Sequence, residues 1–199
     1  MRTRIILPAL VGMIFFMAGC GPADSLYALF TQDDKVFDEK LLGKWRWQES
    51  EEPQEEDGAL IFRRGEDAKT YEVELISATA EKEANMIMSA HLVSLGDCLF
   101  IDFGTPDLAK VKFHKIPFPI IEGHIFGTIA TEGKKIHIHL LDDDWVQKQA
   151  AQDKLTLGWT KTPQGVVLTA PTPELRKFAL EHVHDRQAFS DREEFYRQK

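Results

Sequence analysis

From Phe37 to Thr169 apolar and polar residues alternate in short runs broken by turn residues. That period of two predicts strands of an antiparallel sandwich or barrel. Leu41 to Gln48 predicts the first strand, with Gly43, Trp45 and Trp47 on one face. Ala59 to Arg64 and Thr70 to Ile76 predict the next two, the latter setting Tyr71, Val73 and Leu75 against Glu72 and Glu74. Met86 to Leu95 and Cys98 to Phe103 flank Gly96-Asp97, a pair suited to a two-residue type II′ turn. Pairing outward from it matches Ser94 with Leu99, Leu92 with Ile101 and Ala90 with Phe103 on one face. The other face matches Val93 with Phe100 and His91 with Asp102.

His124 to Thr131 and Lys134 to Leu141 predict a second hairpin, here read around Glu132-Gly133. That register pairs Ile129 with Ile136, Gly127 with Ile138 and Ile125 with Leu140. The inward set is then Ile125, Ile129, Ile136, Ile138 and Leu140, with His124, His137 and His139 outside. Leu155 to Thr160 and Val166 to Thr169 predict a last hairpin around Pro163-Gln164-Gly165. Apart from a short helix predicted to start at Pro22-Ala23-Asp24-Ser25 and run through Leu26, Leu29 and Phe30, helical signals come late. Asp142-Asp143-Asp144 offers a cap and acidic first turn for a short helix near 143–152. Thr172 followed by Pro173 predicts the cap and start of a C-terminal helix whose buried stripe is Leu175, Phe178, Ala179 and His182. Residues 105–122, with Pro106, Pro117 and Pro119, form the longest connection, the kind of loop that serves as a lid or binding loop. The expected fold is mainly β: an antiparallel meander of about eight or nine strands closing into a barrel, which removes its own edges.

The start of the chain reads differently. Arg2 and Arg4 precede an uncharged run from Ile5 to Ala18, and Met17-Ala18-Gly19-Cys20 ends it with two small residues before a cysteine. Charged start, apolar middle and small-residue end make an export signal. The 15 residues from Ile5 to Gly19 fall short of the roughly 20 needed to span a bilayer. Cysteine at the first mature position resembles the bacterial lipoprotein lipobox, with Met17 where the motif has Leu. The resemblance implies that Cys20 is acylated and that the chain is anchored to a membrane through its lipid. Gly21 in place of Asp implies outer-membrane residence if the organism has two membranes. The expected organisation is a signal peptide at 1–19, a lipidated N-terminus and tether at 20–36, a barrel at 37–171 and a helical segment at 172–199.

Charge narrows the partners. The whole chain carries 24 basic and 32 acidic residues; the signal takes Arg2 and Arg4, leaving 22 against 32, a net of −10. Such a chain has no electrostatic footprint for nucleic acid. Anionic lipid repels it, so the acyl chains must supply the attachment. Cys98, alone once Cys20 is acylated, has no partner for an internal disulfide and reads as an inert strand thiol.

Candidate chemistry is sparse. The acidic run from Glu49 to Gly58 reads as a solvated loop, because it lacks the spacing of a calcium loop. His124, His137 and His139 share the outer face, where three imidazoles at such spacing would suit an open zinc site. The alternative is that they cover the wall beneath the C-terminal helix. Ser89, His91 and Asp102 also share a face, but Ser89 lies within a regular strand and no nucleophile elbow is present. No catalytic residue, metal or cofactor is assigned, and the chain is not expected to be an enzyme.

Gly43-Lys44-Trp45 at the start of a meander resembles the Gly-x-Trp signature of lipocalins. That resemblance implies an eight-stranded barrel closed at one end by Trp45 and holding a small apolar ligand, with Trp45, Trp47, Tyr71, Phe100 and Phe103 as lining. The stretch His91 to Asp97 with Leu99 to Asp102, Leu140 to Trp145, and Leu168 to Leu175 resembles uncharacterised bacterial envelope lipoproteins. The expected function is a membrane-tethered binding module for a small apolar ligand, or for an envelope protein. A filled barrel acting as a structural or interaction lipoprotein is the alternative, and a metal enzyme on the His124/His137/His139 face the second.

Overall fold

A computed structural model describes residues 21–47, 58–76, 86–105, 122–189 and 191–198, with the backbone alone at 191 and 192. The expectations for the export signal and Cys20, and for most of the acidic loop and of the 105–122 connection, lie outside the described residues. The strands are β1 (Asp24–Ser25), β2 (Lys35–Val36), β3 (Gly43–Trp47), β4 (Ala59–Arg64), β5 (Thr70–Ile76), β6 (Met86–Leu95), β7 (Cys98–Gly104), β8 (His124–Glu132) and β9 (Lys135–Leu140). They are followed by β10 (Trp159–Thr162), β11 (Gly165–Leu168) and β12 (Asp191–Arg197). A 3₁₀ turn, η1 (Glu39–Leu41), precedes β3, and two helices, α1 (Asp143–Ala151) and α2 (Thr172–His182), flank the β10–β11 hairpin.

Eight strands close an antiparallel barrel in the order β3-β4-β5-β6-β7-β8-β9-β12, with β12 returning to β3. The architecture is thus mainly β, a lipocalin-like closed meander with two helices. The closing strand departs from the expected helical segment at 172–199: α2 ends at His182, and Asp191–Arg197 pairs with both β9 and β3. Charged residues fill most of that strand, and only Phe195 among them is a large aliphatic or aromatic core residue, so its period of two is muted. The last hairpin is also corrected. β10 and β11 lie outside the barrel, where β11 runs parallel to β1 and β1 joins β8 through Ser25 and His124.

The first long hairpin has the expected register, with Leu92 opposite Ile101 and His91 opposite Asp102. The second is shifted. Ile129 faces Ile138 and Gly127 faces Leu140, because the turn is Gly133-Lys134. Gly133 has φ +63°, and as the first central residue it provides the positive φ of a type II′ turn, as Gly96 does at +56°. The shift preserves the faces: Ile129, Ile136 and Ile138 are buried inside, and Ile125 and Leu140 are half-buried against them.

The wall from β6 to β8 is apolar on both faces. Inside, Trp45, Phe62, Tyr71, Val73, Leu92, Ile101 and Ile136 form one core. Outside, Val93, Phe100 and Phe126 form a second with Trp145 and Val146 of α1, Leu175 and Phe178 of α2, and Phe189. Helix α1 is capped by Asp142, which accepts from Trp145 N at 2.6 Å. Helix α2 has no side-chain cap; Thr172 is its first residue and donates to Ala28 O at 2.8 Å instead.

Residues 21–36, expected as a tether, form a strap against this wall. Leu29 N donates to Asp102 Oδ2, Arg176 Nε donates to Leu29 O, and β2 pairs with Val93 and Leu92 of β6. No described helix is long and apolar enough to cross a membrane.

Candidate functional site

One end of the barrel is plugged. η1 crosses it, and the buried Trp45 indole donates to Leu41 O at 2.7 Å. Arg197, at the end of the closing strand, stacks its guanidinium 4.4 Å from the Trp45 ring centre and donates to the carbonyls of Leu42 and Lys40. Tyr71 completes the plug. Its hydroxyl donates to Asp38 O and accepts from Asp38 N, and its ring stacks on Phe37 at 4.4 Å. Burial pushes the Tyr71 phenol up to about 12. Trp45 therefore sits at the closed end, as the Gly-x-Trp resemblance implied. Arg197 was missed; a lone arginine at the far end of the chain gives no local signal.

The opposite end forms the mouth. Inward-facing Leu75, Met88, Ile125 and Leu140 are half-buried there, whereas Trp45, Phe62, Tyr71, Leu92 and Ile101 deeper down are sealed from solvent. Phe103 sits between these layers, buried inside. Trp47 ends β3 at the mouth with 43% of its surface exposed and its ring 5.9 Å from Phe195. Glu193, opposite Ile138, adds a polar position to the inner face of the closing strand. Of the five residues expected to line a ligand, Trp45, Tyr71 and Phe103 point inside and Trp47 stands at the rim. Phe100 is corrected to the outer core, 6.3 Å from Phe189, because its neighbour Ile101 takes the inward position.

A cleft of about 720 Å³ opens in the wall beside the plug. The pairing of β7 with β8 stops at Phe100 and Thr128, so Cys98 and Leu99 part from Ile129 and Ala130. Asp38, Lys40 and His139 border the same space. Its lining mixes both charges with apolar groups, and includes Cys98 and His184.

The histidines serve the wall in separate places. Asp102, fully buried, accepts from Leu29 N and lies 2.7 Å from His124 Nδ1. His137, on the outer face, lies 3.4 Å from both Glu132 and Glu194. His139 borders the cleft. Among the described residues no three His, Cys, Asp or Glu side chains are placed to hold a metal ion. Nor is a triad assembled from Ser89, His91 and Asp102, since both Asp102 oxygens are engaged elsewhere. His91 Nε2 meets Thr70 Oγ1 at 3.2 Å, its ring stacks on Phe30 at 3.9 Å, and its buried Nδ1 has no hydrogen-bond partner among the described residues. Burial first, then the Lys35 charge, pulls His91 down to about 4, so it is neutral at pH 7.

The chain matches no family model, no curated protein and no solved structure.

Proposed function

We propose that this chain is an exported, acylated envelope protein whose barrel binds a small apolar ligand through the mouth. One observation carries the reading. The inner lining is apolar apart from positions such as Glu193 on the closing strand; it is sealed by the Trp45–Arg197–Tyr71 plug at one end and only half-buried around Leu75, Met88, Ile125 and Leu140 at the other. Eight-stranded barrels are wide enough either to fill with side chains or to hold one small ligand. On this reading the two regimes divide by depth, with side chains filling the barrel near η1 and the ligand entering near the half-buried mouth. Cys20 supplies the anchor, in the outer membrane if the organism has two, and the proposal is for binding without catalysis.

Native mass spectrometry of the processed chain tests it, together with titration by an environment-sensitive apolar fluorophore. Bound lipid-like mass, or probe binding that fatty acids displace, is the expected result. The second reading is a filled barrel that meets another envelope component through its surface, and the sealed deep layer favours it. A chain that carries no ligand and binds no probe would establish it in place of the first.

A further inference from the structure

Four large apolar side chains stand exposed at the mouth end. Trp47 ends β3 there, Leu26 and Tyr27 form the bend after β1, and Trp159 starts β10. The register places the last three beside the mouth. Ser25 pairs with His124, the first residue of β8; Leu26 N donates to Leu168 O; and Trp159 pairs with Leu168. Leu180, the remaining exposed large apolar side chain among the described residues, lies by Gly96 at the plugged end.

The point of attachment lies at the same end. Gly21 O accepts from Asp143 N at 3.1 Å, Pro22 bridges to Asp142, and Ala23 N donates to Leu141 O at 2.7 Å. These partners directly follow the mouthward end of β9. Cys20 is thus one residue from fixed backbone, and one residue reaches at most about 3.6 Å. Acyl chains there would hold the mouth end against the lipid, not on a long leash. The processed chain's net charge of −10 gives no attraction to anionic lipid, so contact must come from apolar and aromatic groups. Tyr and Trp suit that role, with one end apolar and the other wet.

We propose that the mouth end seats on a lipid bilayer, with Leu26, Tyr27, Trp47 and Trp159 in its interfacial zone, so that the barrel exchanges its apolar ligand directly with the membrane. This rests on the reading of an acylated apolar-ligand binder and names the bilayer as the ligand's source.

The test uses the processed full-length chain in phosphatidylcholine vesicles that carry a nitroxide near the headgroup. Flotation reads the anchor, and quenching of tryptophan emission reads the rim. Trp45 and Trp145 are buried and serve as the internal reference. The chain should float, and its Cys20→Ser variant should lose flotation. Emission should fall in the nitroxide vesicles at both low and high salt, and Trp47→Phe with Trp159→Phe should abolish the fall. A floating chain with no nitroxide quenching overturns the rim contact and leaves the anchor standing. Equal quenching in the double variant also overturns it. A chain that does not float removes the acylation reading and this proposal together.

Discussion

Two residues from opposite ends of the domain lock the barrel, and only one was legible. Trp45 announced itself through Gly43 and the start of a strand. Its partner Arg197 did not, because stacking on an indole and donating to two carbonyls depends on a chain closure that no local pattern encodes. Trp45→Ala should cost about 3–5 kcal/mol, the range for a buried aromatic truncation. Arg197→Ala should cost about 1–3 kcal/mol through unpaired carbonyls and the lost cation–π contact. Denaturant midpoints of both single variants and the double variant check this, with a coupling energy of at least about 0.5 kcal/mol expected for groups in contact. His91 gives a pH signature. Its unfolded pKa is near 6.5 and its folded value about 4, so the unfolded chain binds the proton first. Stability should therefore fall as pH drops from about 6.5 to 4, by up to about 3 kcal/mol, and hold no further His91 loss below that. Lys35, Asp67, Asp102 and His124 surround the ring electrostatically. Asp67 is held well below the carboxylate range by hydrogen bonds from Lys35 and Thr70, so its contribution is lost only below about 3.8, outside the histidine window. His91→Gln should flatten the slope between pH 6.5 and 4; an unchanged profile would show that the ring does not resist protonation.

At the scale of elements, what could be read was what neighbours encode. Gly96-Asp97 fixed the β6–β7 register because glycine leads the turn. The same rule applied to Gly133 gives Gly133-Lys134, and reading glycine as the second turn residue displaced the β8–β9 partners while leaving every face correct. Parity survives such a shift, so the inward isoleucines were recovered and their partners were not. β12 was read as helix tail because Asp191, Arg192, Glu193 and Glu194 hide its alternation, and its strand character comes from two waiting edges, β9 and β3. Those two edges lie far from it in sequence. The β8–β9 contact also fixes a glycine. A Cβ added to Gly127 would lie 2.1 Å from His139 O and 2.7 Å from Leu140 Cα. Both are backbone atoms, so no side-chain rotation relieves the clash. Gly127→Ala should destabilise by at least about 1–3 kcal/mol, and a thermal midpoint equal to that of wild type would show that the two strands separate freely.

For the whole molecule, the decisive arrangement is two cores sharing one wall. Leu92 and Ile101 point into the barrel while Val93 and Phe100, their immediate neighbours, point into the helical layer. The strap ties the layers further, through Leu29 N to Asp102 on the wall and Arg176 of α2 to Leu29 O and Asp34. Alternation along β6 and β7 predicts one core face and sets Val93 and Phe100 with His91 and Asp102 on the other; the structure buries that second face too. Of what covers the outer one, the sequence offers only the C-terminal helix, since α1, α2 and the strap come from three distant stretches of chain. A shared wall has a consequence for unfolding. Loss of the helical layer would expose Val93, Phe100 and Phe126 on strands that also build the barrel interior, so neither layer has a stable state without the other. The chain should then unfold in one cooperative step. Trp145 reports the outer core and Trp45 the inner one, so variants that each retain one of these two as the sole tryptophan separate the signals. Coincident denaturation midpoints are expected after correction for each variant's own stability. If Trp145 were released at lower denaturant while Trp45 stayed buried in the same variant, the helical layer would be a separable cover, and the barrel would stand on its inner core and the Arg197 lock alone.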